Sequence, residues 1–222
     1  MNQLLALLRK EFILEWRNKY AISGIVLYLV STVSIVYFSK SQDKQLDVLA
    51  PAVWNILFWI VILFTSVNAI AKSFFHENEE RQFYYYTITS GENIILSKII
   101  YNFILMVVLS TIAWIVFRLM IGEVKANQTL FFFSIILGAT GFSLVFTMIS
   151  AIASKAANQA TLMAILGFPV IIPIFMIVLS LTKAALLQKT VSDVSQQLLV
   201  LSGIDVILAG LSLVLFPYLW RD

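Results

Sequence analysis

Apolar residues along this chain fall into six long runs separated by short polar breaks, near 20–39, 51–71, 94–121, 129–153, 160–182 and 198–220. A helix needs about 20 mostly apolar residues to cross a bilayer, and each run has that length. In hydrocarbon every backbone N–H and C=O must be satisfied within its own segment, which makes such runs helices. The ten-residue alternation of a membrane β-barrel is absent. The pattern predicts an all-α membrane protein with six transmembrane helices. The spans use most of the length, so residues 1–222 read as one membrane domain with no room for a soluble one.

Two polar stretches carry patterns of their own. Residues 2–19, NQLLALLRKEFILEWRNK, place Leu5, Leu8, Phe12 and Trp16 on one face of a helix, with Lys10 and Arg17 opposite. That predicts an N-terminal interfacial helix lying in the headgroup plane, a role compatible with a plain orientation-setting anchor. Residues 74–98, FFHENEERQFYYYTITSGENIILSK, hold the densest acidic cluster and the single histidine. Here Glu77 and Arg81 form a favourable i, i+4 pair in a short polar helix. Tyr84, Tyr85 and Tyr86 suit a membrane–water boundary, and Thr89 with Glu92 forms a capping box ahead of span 3. An exposed helix bearing Glu77, Glu79 and Glu80 is a docking element for a soluble partner, whereas a solvated loop is the plainer reading of a charge run.

Inside the spans, Trp54 and Trp59 suit the interfacial aromatic belt. Asn55, Asn68 and Asn102 are expected to bond between helices, and Gly203 and Gly210 to let helices approach. Pro169 and Pro173 each remove a helical hydrogen bond and bend span 5. Asp205, about seven residues inside the last run, is costly and by default a functional residue, unless it reaches water or pairs with Lys183 or Lys189 of the outer loop.

Charge orients these spans. Fifteen Lys and Arg against twelve Asp and Glu give a net charge of +3, a bias that cytoplasmic loops of membrane proteins explain without nucleic acid. Six crossings put both termini on one side, with nine of the basic residues there and six on the other. Four of the nine precede the first span, which usually sets orientation, so both termini and the 74–98 stretch are expected in the cytoplasm. The first run shows no A-x-A-like cleavage site and reads as a retained span. The chain has no cysteine, which excludes disulfides, thiolate metal sites and the C-x-x-C-H haem attachment. No G-x-x-x-x-G-K-[ST] loop is present, so ATP, if used, binds another polypeptide. No catalytic dyad lies in the spans, and the chain reads as a non-enzyme. His76, beside carboxylates and outside any span, reads as a surface or docking residue rather than a haem ligand.

The interfacial helix, six spans and helical first cytoplasmic loop resemble the ABC-2-type permease fold. LLRKEFILEWRNK at 7–19, AKSFF at 71–75, YYYTITSGENIILSKIIYN at 84–102, FPVIIP at 168–173 and SGIDVILAGLSLVLFPYLWRD at 202–222 are similar to the CcmB family. This family, haem exporter protein B, is the permease subunit of the cytochrome c maturation system. The resemblance covers essentially the whole chain, departing at Ser90-Gly91 and Arg81. It implies a bacterial inner-membrane protein whose short coupling helix between spans 2 and 3 receives a cytoplasmic ABC ATPase through Glu77, Glu79, Glu80 and Arg81. It further implies a haem-handling membrane subunit as partner, haem as substrate rather than resident cofactor, and ATP on the partner. A homodimer is compatible with the same reading. The alternative is a membrane scaffold that couples the ATPase to the haem-handling subunit and transports nothing.

Overall fold

A computed structural model of the chain describes residues 2–17, 19–42, 51–70, 74, 89–122, 125–154 and 159–221. Among them the regular elements are helices: α1 Asn2–Arg17, α2 Lys19–Gln42, α3 Pro51–Ile70, α4 Gly91–Met120, α5 Gln128–Ala153, α6 Gln159–Leu186 and α7 Ser195–Arg221, with a 3₁₀ turn at Ser192–Val194. Five stretches are long and apolar enough to cross a membrane: Pro51–Ile70, Gly91–Met120, Gln128–Ala153, Thr161–Leu186 and Ser192–Tyr218. α2 is 24 residues long, and its Ser23–Phe38 portion is a shorter apolar helix.

α5 is the axis of the bundle. It packs against α3, α4, α6 and α7, and 72% of its most apolar stretch is buried, against 22% for α7. Small residues make this closeness feasible. A Cβ built on Gly138 would lie 2.6 Å from Trp59 Cη2, well inside contact distance, so only glycine leaves room for the indole. Gly203 and Gly210, expected to be the packing glycines, have nothing within 4 Å of the place a Cβ would take. They lie on the outward face of α7, away from the other helices of the chain.

The aromatic residues of α3 also depart from the sequence reading. Trp54 and Trp59 are buried, not spread along a membrane interface. Trp54 stacks on Phe58 at 5.2 Å and meets Phe117 edge-on at 5.5 Å. Trp59 meets Phe142 edge-on at 5.8 Å. Ring–ring packing of this kind adds about 0.5–1.5 kcal/mol per pair beyond area burial, and here it binds α3 to α4 and α5.

At the ends of the helices, local chemistry fixes the turns. Asn127 caps α5, accepting from Leu130 N at 3.4 Å, while its Nδ2 donates to Lys189 O at 2.9 Å. That joins the α4–α5 connection to the turn after α6. Asp193 accepts from the Thr190 backbone N–H and hydroxyl, each at 2.8 Å. The expected Thr89–Glu92 capping box does not form. The N-cap is Ser90, with no side-chain cap bond, and its carbonyl accepts from Asn93 N at 3.1 Å. Gly91 sits against Pro217 of α7, 3.4 Å from the place of a Cβ. The Thr89 hydroxyl is buried without a partner among the described residues instead of capping the helix.

Candidate functional site

Two polar places stand out in the apolar bundle. The first is at mid-depth. Asp205 lies about 15 Å along α7 from Ser195 at 1.5 Å per residue, near the middle of a hydrocarbon layer about 30 Å thick. It is 6% exposed, and among the described residues neither carboxylate oxygen has a hydrogen-bond partner. Lys183 and Lys189, the partners offered by the sequence, do not reach it. Space for the carboxylate comes from Gly141 of α5, where a Cβ would lie 2.9 Å from Asp205 Oδ1 and 3.0 Å from Ile174 of α6. An acid is thus held at the junction of α5, α6 and α7, against bare backbone.

Several other buried polar groups of the bundle are paired between helices. Trp59 Nε1 donates to Thr182 Oγ1 at 3.0 Å, Thr182 Oγ1 donates to Asn55 Oδ1 at 2.6 Å, and Asn55 Nδ2 donates to Leu179 O at 2.9 Å. This ties α3 to α6. Asn102 Nδ2 donates to Thr147 Oγ1 at 2.8 Å, tying α4 to α5. Asn55 and Asn102 therefore bond between helices as expected. Asn68 does not: its Nδ2 donates to Phe64 O at 2.9 Å within α3. The Trp54 Nε1–H and the Thr65, Thr89 and Ser110 hydroxyls are likewise buried without a partner among the described residues, and Asp205 is the ionisable group in that set.

The second place is at the end where α4 begins. Lys98, 1% exposed, sits 3.4 Å from Glu11 Oε1 of α1, and Lys10 lies 3.3 Å from the same oxygen. The Lys98 ammonium also stands 4.6 Å from the centroid of the Phe74 ring. Phe74 in turn packs on Phe216 of α7 at 5.6 Å. Ile94, Ile95 and Ala151 complete this satellite cluster, with Leu7 of α1 against it. Phe12 meets Tyr101 edge-on at 5.1 Å. The face of α1 that docks is therefore Leu7, Glu11 and Phe12 rather than a continuous Leu5–Leu8–Phe12 stripe. Leu5, Ile13 and Leu14 point outward.

Glu77, Glu79, Glu80, Arg81, His76 and the three tyrosines lie outside the described residues, apart from the buried anchor Phe74 that precedes them. Sequence reasoning counted Lys98 as a cytoplasmic charge and missed its pairing. The signal was there, because Ile94-Ile95-Leu96 precede it and Ile99-Ile100 follow it, and a lysine inside an apolar run needs a partner.

Membrane-length helices around one axis, with a charge pair at one end and an unpaired acid at mid-depth, define a polytopic α-helical membrane protein. The chain belongs to the CcmB family, whose profile, described as CcmB protein, matches residues 2–218. Membership makes it a membrane component of the haem-export system of cytochrome c maturation, a multi-subunit ABC-type assembly and not a classical enzyme family. No curated protein matches the chain significantly.

Proposed function

We propose that the chain is the six-span permease subunit of that assembly in the bacterial inner membrane, driven by a separate cytoplasmic ATPase. The observation that carries this reading is the Glu11–Lys98–Phe74–Phe216 cluster. It gathers α1, the α3–α4 connection, the start of α4 and the end of α7 at one end of the bundle. Between α1 and the end of α7 stand six helices, α2 to α7, and an even number of crossings is what returns the chain to that end. The basic residues before α2 favour the cytoplasm for it.

The same cluster supplies a route for force. A partner closing on Glu77, Glu79, Glu80 and Arg81 pulls on a segment whose first anchored residue, Phe74, is packed on Lys98 and Phe216. Displacing Phe74 disturbs the ion pair that holds α1 and shifts α4 and α7 together. α7 carries Asp205, so the device at the end and the acid at mid-depth share one helix. Exposed Leu5, Ile13 and Leu14 suit α1 to the headgroup plane, where it acts as a lever. Haem is the cargo, and ATP stays on the partner because this sequence has no phosphate-binding loop.

Reversing two charges tests the coupling. Glu77→Lys with Glu79→Lys is expected to release the ATPase from the purified complex and return its hydrolysis to the uncoupled rate. Unchanged co-purification and unchanged hydrolysis would remove the coupling role from this loop. ATP-dependent haem movement in vesicles separates a permease from a scaffold that holds the ATPase but moves nothing.

A further inference from the structure

Hydrogen bonds divide the bundle unevenly. α3 is bonded to α6 through Asn55, Trp59 and Thr182. The cap of α5 is bonded to α6, where Asn127 N donates to Ala185 O at 2.8 Å. α4 is bonded to α5 through Asn102 and Thr147. Those four helices form one body tied by polar contacts, and α7 stands outside it. Between Ser195 and Leu215 no described side chain of α7 makes a hydrogen bond or ion pair to another helix. Its Ser212 hydroxyl donates to Leu208 O at 2.8 Å, within α7 itself. In a bilayer the difference matters, because lipid tails are as apolar as leucine and give helices no hydrophobic reason to associate. Packing and interhelical hydrogen bonds hold them together, and along this seam α7 has packing alone.

The content of the seam weakens it further. Asp205 lies where Gly141 of α5 and Ile174 of α6 meet, and its carboxylate finds no donor among the described residues. A polar group buried without a partner opposes close packing, and water entering between the helices supplies the missing bonds. Leu201 and Leu208, one turn to either side on the same face, are buried with it. The opposite face of α7, with Leu199, Val206, Ile207 and Val214, is exposed, so no described helix bars outward movement. The far end of α7 is attached elsewhere. Phe216 packs on Phe74 at 5.6 Å, and Pro217 removes a helical hydrogen bond beside it.

We propose that the seam between α7 and the α5–α6 pair is the joint that opens in the working cycle, and that opening brings Asp205 into contact with water. The joint rests on the permease reading above. Movement of Phe74 reaches α7 through Phe216, the proline lets the end of the helix bend, and the seam without polar ties parts first.

The test uses the complete complex with its ATPase, in vesicles. This chain has no cysteine, so Leu201→Cys and Leu208→Cys each place a single thiol of this chain in the seam. Val178→Cys, buried on α6 against Gly138, places one inside the hydrogen-bonded body. A charged methanethiosulfonate reacts with the thiolate, and therefore with a thiol that water reaches. Both seam thiols are expected to react about tenfold or more faster during ATP hydrolysis than without nucleotide, and Val178→Cys to react no faster. Asp205 is the sole acidic residue between Ser195 and Arg221. A water-soluble carbodiimide with a charged amine therefore reads it by peptide mass in the unsubstituted complex, where no variant has to fold, and the same dependence on ATP is expected. With the ATPase bound and hydrolysing, labelling of Asp205 that ignores ATP overturns the joint and leaves the permease reading standing. Equal acceleration at Val178→Cys also overturns it, because the whole bundle would then be loosening. An ATPase that fails to bind the unsubstituted chain removes the permease reading, and the joint with it.

Discussion

Glu11→Gln is expected to undock α1 and to cost about 3 kcal/mol, near the lower end for breaking a buried ion pair. Lys98 is 1% exposed, and with the Glu11 carboxylate gone its ammonium keeps the Phe74 ring but loses the counter-charge that α1 brings to it. The least costly escape is for α1 to lift and let water reach Nζ. Hydrogen exchange along α1 then rises by about two orders of magnitude, while α5, enclosed on several sides, keeps its protection. Glu11→Gln combined with Lys98→Met is expected to regain much of the loss, because an apolar replacement for a buried pair is often neutral. The double-mutant cycle isolates the coupling. Additive losses in the cycle would mean that the two side chains act separately and that α1 is held by its apolar face alone.

Asp205→Asn is expected to act in the opposite sense on stability and to abolish function. A carboxylate buried with no partner is a cost to the fold, several kcal/mol when ionised. Exchanging it for an isosteric neutral amide leaves stability unchanged or raises it by about 1 kcal/mol. A residue kept at such expense in the membrane interior is kept for function, so cytochrome c maturation falls by about tenfold or more while protein level holds. Gly141→Ala reaches the same site from the other helix: its methyl would lie 2.9 Å from Oδ1 and displace the acid without removing it. Thermal stability of the complex and haem-loaded cytochrome yield, measured on the same variants, decide the matter. Lost stability with normal maturation would make Asp205 structural.

Five of the spans were legible because twenty apolar residues in hydrocarbon admit one conformation. Placement within them was less so, because it depends on which face of each helix meets another. Trp54 and Trp59 carry the composition of an interfacial belt yet are buried, since Gly138 opens α5 to Trp59. Gly203 and Gly210 have the spacing of a packing motif yet face outward, as spacing alone does not say which side finds a neighbour. The Glu11–Lys98 pair joins residues 87 positions apart, and no local pattern carries that distance. Asp205 was legible because a charge inside an apolar run announces itself. Its isolation was not, since that rests on Gly141 and on loop lysines that stay away.

The account stands or falls on where the acidic segment between α3 and α4 lies. The chain has no cysteine, so Glu79→Cys introduces a single thiol into an otherwise silent background. A membrane-impermeant maleimide is expected to leave this thiol unlabelled in intact spheroplasts, to label it in inverted membrane vesicles, and to be blocked there when the ATPase subunit is bound. Labelling from the outside of intact spheroplasts would place the segment beyond any cytosolic ATPase and contradict the account.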